Sequence, residues 1–547
     1  MGGFFLVNHA GKREDGSCMG EGFFSKRESF LLGDFHLALF QKEYVVNHKN
    51  FLKEKDGFIA GVGTYLYKNK FGYDALPLIM ADLLAGENPF PEVCGHFCFI
   101  TYINGKLELF SDKSGHYHTF IAFEGERTLI SSSFSLMIEN LSVLTPQKQE
   151  LLEYLNSSAT YGEKTIFREI RHLSPGTRYS LPERGLRGEP YLDSESTGRN
   201  THKELVSGIQ GYFEQFSSID ILSACDVSGG FDTRTVLACL LNSSVAVNLV
   251  THNRPRSVSP DREISERIAD IIHQDIEIIE LESGYDCNDF SLIGITEMSR
   301  GLDIARRMLN EVVNKARKYE LIFGGWGAEL LRNQYGKEQK LEEYVEGYLF
   351  NKIDFVSKKN HQEYTDNLKK KFQATIRSFP AFNGSISELL YYFQRSRFWA
   401  GNSLSFRNKM AYWLFPFYDW KLANSILQLE GKTKMTQKNI IGSLMPELAE
   451  IPYASSDLLE GFSLRQVLKR LISLSIPFGI KKRLKKVRIE KTDYEYKGKL
   501  NIEGETVLES LIGLGRNELI KNGNMRSISK YDVLTRIFKD IHIKNIG

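Results

Sequence analysis

Ile221-Leu222-Ser223-Ala224-Cys225-Asp226-Val227-Ser228-Gly229-Gly230-Phe231-Asp232-Thr233-Arg234 decides how this chain folds. An apolar segment runs into Ser-Gly-Gly, and the helix-like run Thr235-Val236-Leu237-Ala238-Cys239-Leu240-Leu241 follows. That order predicts a strand, a glycine turn and the start of a helix. Two glycines let backbone N–H groups approach a ligand closely. A helix N-terminus adds unpaired donors and a positive dipole end, which suits an anion such as phosphate. Ser228 and Thr233 add hydroxyl donors. Asp232 is an odd group to aim at phosphate unless a cation lies between them, and Mg²⁺ is the usual bridge. Read alone, the stretch serves equally as a Gly-Gly turn of any α/β protein, with Asp232 as a helix cap.

The flanking sequence continues the rhythm. A helix is expected from about Lys203 to Phe216, just before the opening strand. Val245–Thr251 reads as a second buried strand, Asp261–Ile272 as an amphipathic helix capped by Asp261, and Ile276–Leu281 as a third strand. Strands alternating with helices predict a parallel, doubly wound sheet, whose ligands bind beyond the carboxyl ends of the strands. Leu321-Ile322-Phe323-Gly324-Gly325-Trp326-Gly327-Ala328-Glu329-Leu330-Leu331-Arg332 repeats the strand, glycine turn and helix start. A carboxylate at Glu329 suits Mg²⁺ together with Asp232, and it equally suits the dipole of a helix that begins there.

Residues 1 to about 190 read as mostly β. Met1–Val7 and Gly57–Thr64 are strand-like. Gly95–Ile103 alternates, turns at Asn104-Gly105 and returns as Leu107–Asp112, a hairpin signal; Phe120–Phe123 and Thr128–Ser132 complete a meander. The polar stretch 191–203 reads as a linker. Beyond about 336 the chain is mostly helical and aromatic-rich.

The 547 residues suggest two or three domains, and 42% hydrophobic content is enough for full cores. Seventy basic against 68 acidic residues give a net charge of +2, which speaks against a nucleic-acid partner. Six scattered cysteines exclude a disulfide framework and fit a reducing cytoplasm. Cys94, His96 and Cys98 lack the second ligand pair of a metal site. No apolar run is long enough to span a bilayer, and no signal-peptide pattern opens the chain. The basic run Lys481–Arg488 reads as a solvated helix face.

Ser228-Gly229-Gly230-Phe231-Asp232-Thr233 resembles the SGGxDS pyrophosphate loop of the asparagine synthetase family, and the Gly324–Glu329 stretch resembles its SGxGxDE loop. The N-terminal part is similar to that family's glutaminase-type domain through Gly95 and Phe97, the Asp112…Gly115 turn, Ser131-Ser132-Ser133, Thr165–Ile170 and Leu173–Gly176. Phe415-Pro416-Phe417-Tyr418-Asp419 is similar to its R-x-P-F-L-D segment, with Leu414 in place of the arginine. The resemblance implies residues 1–195 as an Ntn-hydrolase-like, class II glutamine amidotransferase-like β-rich sandwich. Residues 200–547 follow as a doubly wound parallel α/β PP-loop ATP pyrophosphatase domain with a helical extension.

It further implies an ATP-dependent ligase: a carboxylate is activated as an acyl-adenylate, pyrophosphate leaves, and an amine captures the acyl group. By resemblance, Ser228, Gly229, Gly230, Asp232 and Thr233 bind ATP and pyrophosphate, Asp232 and Glu329 hold Mg²⁺, and Gly325 lies against the nucleotide. Arg234 would pair with phosphate or a substrate carboxylate, and Lys438, or else Lys434, would be the catalytic lysine. Two departures shape the expectation. The glutaminase cysteine that follows the initiator methionine is here Gly2, with Cys18 the nearest thiol, so no glutamine hydrolysis is expected. Trp326 stands where ammonia-using relatives keep an acid, which points to a bulkier amine. Partners are then a small-molecule or peptide carboxylate and an amine, with homodimerisation left open. The alternatives are a natural-product amide former of β-lactam synthetase or lasso-peptide cyclase type, a thiolating or tRNA-modifying PP-loop enzyme, and a nucleotide-binding module without turnover.

Overall fold

A computed structural model describes residues 2–8, 27–45, 48–182, 185–191, 201–253, 260–280, 311–332, 341–345, 358–380, 382, 384–429, 431–453, 531 and 534. Cys18, most of the expected linker and the basic run Lys481–Arg488 lie outside these residues.

The N-terminal part is two antiparallel sheets. One contains β1 (Gly3–Asn8), β2 (Arg27–Leu32), β3 (Phe35–Phe40), β9 (Phe120–Glu124), β10 (Arg127–Ser131) and β11 (Ile170–His172), in the order β11-β9-β10-β1-β3-β2. The other contains β4 (Phe51–Glu54), β5 (Gly57–Tyr67), β6 (Lys70–Phe71), β7 (Cys94–Ile103), β8 (Lys106–Ser111), β12 (Thr177–Ser180) and β13 (Arg187–Pro190), in the order β13-β12-β8-β7-β5-β4 with β6 paired to β5. Alternating side chains explain the stacking. Phe4, Leu6, Leu37 and Leu39 from the first sheet share one core with Val62, Cys98, Ile100 and Leu109 from the second. Phe5 and Ala38, one position along, face the other way into the core shared with the C-terminal part. Both faces of β1 are thus covered, which is why its sequence is apolar without a break.

The β7–β8 hairpin turns at Asn104-Gly105 as expected; φ is 51° and 74° at these residues, as a type I′ turn requires. The expected meander does not continue, because β8 and β9 belong to different sheets. Asp112 makes the crossing. Its carboxylate accepts from Ser114 Oγ and from the N–H groups of Gly115 (2.6 Å) and Tyr117 (3.0 Å), folding the chain out of one sheet and into the other.

The C-terminal part holds a five-stranded sheet of β14 (Ser223–Asp226), β15 (Asn248–Asn253), β16 (Ile276–Glu280), β17 (Leu321–Phe323) and β18 (Tyr412–Leu414). All neighbours are parallel and the order is β16-β15-β14-β17-β18, so the strand order reverses between β14 and β17. β18 is a finding: three residues among helices gave no strand signal. Of the helices used below, α1 (His202–Glu214) leads into β14, α2 (Phe231–Asn242) joins β14 to β15, and α3 (Pro260–Ile271) joins β15 to β16. Asp261 lies inside the first turn of α3 rather than at its cap. Later come α4 (Arg397–Met410), α5 (Trp420–Leu427) and α6 (Lys434–Leu444).

The two parts share a buried seam along α4. Ser405 Oγ accepts from the His118 N–H (2.8 Å), and the Lys409 and Met410 carbonyls accept from the Glu43 and Tyr44 N–H groups (both 3.0 Å). Asp419 ties the seam from the other side. Its carboxylate accepts from the Gly95 N–H and from Tyr212 Oη (2.9 Å), and it caps α5 by accepting from the Lys421 N–H (3.0 Å).

Candidate functional site

The reversal point of the parallel sheet brings the two glycine loops together. After β14 the chain passes through Val227–Gly230 and enters α2, with Gly230 as the N-cap and no side chain capping the helix. The first N–H groups of α2 therefore keep their capacity to bind an anion. A Cβ built on Gly230 would meet only Ser228 Oγ at 3.4 Å, so space over the loop is open. Ser228 and Thr233 close the loop on itself. Their hydroxyls lie 2.8 Å apart, Thr233 Oγ1 accepts from the Ser228 N–H (3.1 Å), and Ser228 Oγ accepts from the Gly230 N–H (3.3 Å).

After β17, Gly325 lies directly on that loop. A Cβ there would come within 2.6 Å of Thr233 N and 2.8 Å of its Cα, both backbone atoms that cannot swing aside. The glycine is thus required by loop-on-loop packing, in addition to any role toward a nucleotide. Gly325→Ala is expected to push the loops apart, costing about 1–3 kcal/mol. Urea denaturation would measure this, and an unchanged midpoint would contradict the contact.

Asp232 sits in the first turn of α2 instead of capping it. Its Oδ2 accepts from Arg332 Nη2 (2.9 Å) and its Oδ1 from Gln437 Nε2 (3.1 Å), which also donates to Thr235 Oγ1 (3.0 Å). Burial, and next the charge of Glu329, push the Asp232 carboxyl up to about 6, against the pull of Arg332 and Gln437. The two carboxylates expected to act together are therefore near enough to repel. Glu329 is otherwise engaged. Its Oε1 accepts from Tyr391 Oη (2.6 Å) and Tyr418 Oη (2.7 Å), and its Oε2 accepts from the Gly327 N–H (2.8 Å). Three protein donors already fill the carboxylate, so as a metal ligand the pair is unequal. Asp232, with its side chain 32% exposed, is the accessible member.

One expected role changes. Arg234 is fully buried and turned away from the loop: Nη1 donates to the Leu448 (3.2 Å) and Ile451 (2.6 Å) carbonyls, Nη2 to Pro452 (2.9 Å), and the guanidinium lies 3.9 Å from the Tyr453 ring centroid. It fastens the segment after α6 to α2 and is not placed to meet phosphate or a substrate carboxylate. Gly2 has no room for a side chain, since a Cβ would lie 2.9 Å from the Lys409 carbonyl oxygen and 3.0 Å from that of Gln41. A thiol placed there by Gly2→Cys is expected to weaken the seam and to release no glutamate from glutamine. Glutamate formed at amidotransferase rates by either protein would overturn that reading.

Lys434 and Lys438 both lie on α6, Lys434 as its first residue. Lys438 is half-buried, next to the Gln437 that reaches Asp232, and its ammonium has no hydrogen-bond partner among the described residues. Arg332, Gln437, Tyr391 and Tyr418 complete the site, and sequence reading missed all four. Arg332 and Tyr418 stand inside stretches quoted above without a role assigned to them, and Gln437 and Tyr391 are ordinary helix residues that no local pattern marks.

Beside the loops, a cavity of about 320 Å³ opens past the ends of β14, β15 and β17. Thr251, His252, Trp326, Phe415, Lys315 and Arg407 are among the residues that line it. Lys315 Nζ binds Asp226 (2.5 Å) and Glu311 (2.8 Å) on its floor. Trp326 stacks on Phe415 at 4.9 Å. Cys94, Cys98, Cys225 and Cys239 are free and buried. Among the described residues no group of three or more His, Cys, Asp or Glu stands close enough to cage a metal, and no helix is long and apolar enough to cross a membrane.

No family model matches the chain, and no curated protein matches it. Among solved structures it is similar to a glutamine phosphoribosylpyrophosphate (PRPP) amidotransferase from B. subtilis complexed with ADP and GMP, at 10% identity over 46% of this chain and 77% of that chain, with a TM-score of 0.20. It is also similar to an allosteric regulatory enzyme of purine biosynthesis, at 9% identity over 51% of this chain and 74% of that chain, again with a TM-score of 0.20.

Proposed function

We propose that this chain is an ATP-dependent amide-forming ligase of asparagine synthetase type. One observation carries the reading: two glycine loops meet where the strand order reverses between β14 and β17, placing an uncapped helix N-terminus beside the Asp232–Glu329 pair. That crevice is where ligands of doubly wound sheets bind.

In this reading the N–H groups at the start of α2 hold the β- and γ-phosphates of ATP, and the Ser228–Thr233 contact keeps the loop in shape. Asp232 would hold Mg²⁺ as a single protein ligand, an arrangement this cation accepts when phosphate oxygens and water complete its shell. Burial, and next the charge of Glu329, raise the Asp232 carboxyl, and a cation bound there would favour its ionised form. Mg²⁺, when bound, supplies charge neutralisation on the departing pyrophosphate. Glu329 keeps Tyr391, Tyr418 and the Gly327 turn in register instead. A substrate carboxylate oxygen bonds to the α-phosphorus while the bond from that phosphorus to the oxygen bridging to the β-phosphate breaks, and pyrophosphate leaves. An amine nitrogen then bonds to the acyl carbon, the acyl–oxygen bond to AMP breaks, and the surplus proton on nitrogen passes to solvent. Lys438, or Lys434, would stabilise the charge on the phosphates as the bonds break.

The amine is proposed to be larger than ammonia. Trp326 offers an apolar wall and an indole N–H that donates only, and it cannot accept a proton from an attacking ammonium. Pyrophosphate release from ATP and Mg²⁺ with a panel of carboxylic acids tests the activity. Aspartate with ammonium salts should give no asparagine at a rate matching that release. A second reading rests on Arg332, whose guanidinium already supplies a cation to Asp232. In that reading ATP binds without turnover, and nucleotide binding without any pyrophosphate would establish it.

A further inference from the structure

A groove of about 1400 Å³ is bounded by β9, β11, β13 and the two helices Lys148–Ser157 and Lys358–Arg377. It shares no lining residue with the cavity beside the glycine loops. Small-molecule pockets hold roughly 300–1,000 Å³, so this groove has room for a polymer segment. Ile121, Phe123, Pro146, Pro175 and Leu186 give it an apolar wall, on which Phe123 is 51% exposed.

The charge of the lining is one-sided. Lys148, Lys164, Arg168, Arg171 and Lys370 all line the groove, and all are exposed. None of these five side chains has a hydrogen-bond or ion-pair partner among the described residues. Two further cations of the lining are engaged within the protein. Lys371 Nζ binds Glu150 (3.0 Å) and Glu153 (2.8 Å), and Arg397 donates to the carbonyls of Gly115 (3.3 Å) and Leu173 (2.7 Å). The carboxylates of the described lining are Glu150, held by Lys371, and Glu163, which accepts from Ser174 Oγ (2.5 Å).

Three of the five cations are placed unfavourably for the protein alone. Lys164 and Arg171 stand opposite each other in an antiparallel bridge, and like charges directly opposite destabilise such a pair. Lys148 is the first residue of its helix, where Gln147 supplies no side-chain cap. A cation there opposes the helix dipole, and the first N–H groups keep their capacity to bind an anion. A negatively charged partner relieves all three.

The wall favours a peptide over a nucleic acid. Single-stranded bases stack on open aromatic faces, and of the rings in the described lining only Phe123 is exposed. β13 ends its sheet, so one row of its backbone groups faces no strand among the described residues, and Gly188 and Pro190 of β13 line the groove. An extended peptide pairs with an edge of this kind.

We propose that this groove docks an acidic, extended peptide segment of a partner protein. Its carboxylates meet Lys148, Lys164, Arg168, Arg171 and Lys370, and its apolar side chains lie against Ile121 and Phe123. The site is separate from the ATP crevice and does not depend on the ligase reading.

Fluorescence anisotropy of a fluorescein-labelled decapeptide alternating glutamate and valine, titrated with the full chain at low ionic strength, tests it. Saturable binding that weakens with added salt is expected. Arg168→Glu combined with Arg171→Glu should weaken it roughly ten-fold or more, because like charges then face each other. Both side chains are exposed and unpaired, so this variant should fold, and thermal unfolding checks that it does. If it does not, Lys148→Glu combined with Lys370→Glu carries the same test from the two helices. Lys53→Glu combined with Lys106→Glu removes exposed cations outside the groove and should leave binding unchanged. Absence of binding by the glutamate peptide, or equal binding by its lysine–valine counterpart, would overturn the proposal. So would tighter binding of a labelled oligouridylate, wild-type affinity in a folded groove variant, or an equal loss in the Lys53/Lys106 control.

Discussion

Asp232→Asn is expected to abolish the pyrophosphate release proposed for this chain, a loss on the order of 10²–10³-fold or more, as when a preorganised charge is removed from a reacting phosphate site. The fold is expected to survive. Asparagine keeps the side-chain volume, and its amide oxygen still accepts from Arg332 or Gln437. The ion pair with Arg332 is partly exposed on both sides, at 23% and 32%, so its loss costs only about 0–1 kcal/mol. Removing the repulsion with Glu329 offsets part of that cost. Pyrophosphate assays alongside thermal unfolding separate the two effects. An Asp232→Asn protein that turns over at the wild-type rate would remove Asp232 from the proposed chemistry. Arg332→Met discriminates further. If Asp232 serves Mg²⁺, this variant keeps metal-dependent pyrophosphate release; if the guanidinium stands in for the cation, neither protein releases pyrophosphate and the variant binds ATP more weakly than the wild type.

How much of this was legible in the sequence depends on whether the signal was local. The β14 and β17 loops were readable because an apolar run followed by glycines and then a helix is contained within about a dozen residues, which is also why the parallel sheet was predictable. The Asn104-Gly105 hairpin was readable for the same reason. The failures are long-range. Arg332 lies 100 residues from Asp232 along the chain, and Gln437 lies 205. Nothing in Gln437 or Arg332 marks either as a partner of one particular aspartate. Arg234 shows the reverse error. Adjacent to the loop in sequence, it looked like a phosphate ligand, yet on a helix its direction is set by the 3.6-residue period, and it points to the Leu448–Tyr453 segment. Glu329 was found by position, but its three donors come from one nearby turn and two distant tyrosines, and only the fold shows that the carboxylate is already occupied. Gly325 was expected to lie against a nucleotide, whereas the fold sets its missing Cβ against the Thr233 backbone.

The second large effect concerns the seam that joins the two parts, which is expected to fail in mild acid. Four histidines are buried along it. His96 Nε2–H donates to the Phe415 carbonyl (3.2 Å), His116 Nε2–H to Ser396 Oγ (3.2 Å), and His118 Nε2–H to the Arg397 carbonyl (2.9 Å), while His172 packs on His118. Burial holds His96 down to about 4 and His118 to about 3, and it lowers His116 and His172 well below the usual value. In the unfolded chain each imidazole takes up a proton near pH 6.5, while the folded protein takes up none until the pH reaches those lower values. The unfolded state therefore binds more protons across this window, so stability is full above pH 6.5 and falls as the pH drops toward 4. Each histidine contributes up to about 1.4 kcal/mol per pH unit. Asp112, pushed up to about 6 by burial, works in the opposite direction, as do Asp232, Asp419, Glu153 and Glu388 with their raised carboxyls. The four depressed imidazoles, with the Glu311 carboxyl that, despite burial, Lys315 and Arg407 hold well below its usual value, outweigh the raised carboxyls, and a net loss of about a few kcal/mol is large against a typical total of about 5–15 kcal/mol. Urea midpoints measured from pH 7.5 to 4.5 should fall steadily below pH 6.5. Seam separation should be visible as easier proteolysis between the β-sheet part and α4. A midpoint that is flat or rising on acidification would mean that these histidines are charged in the folded protein.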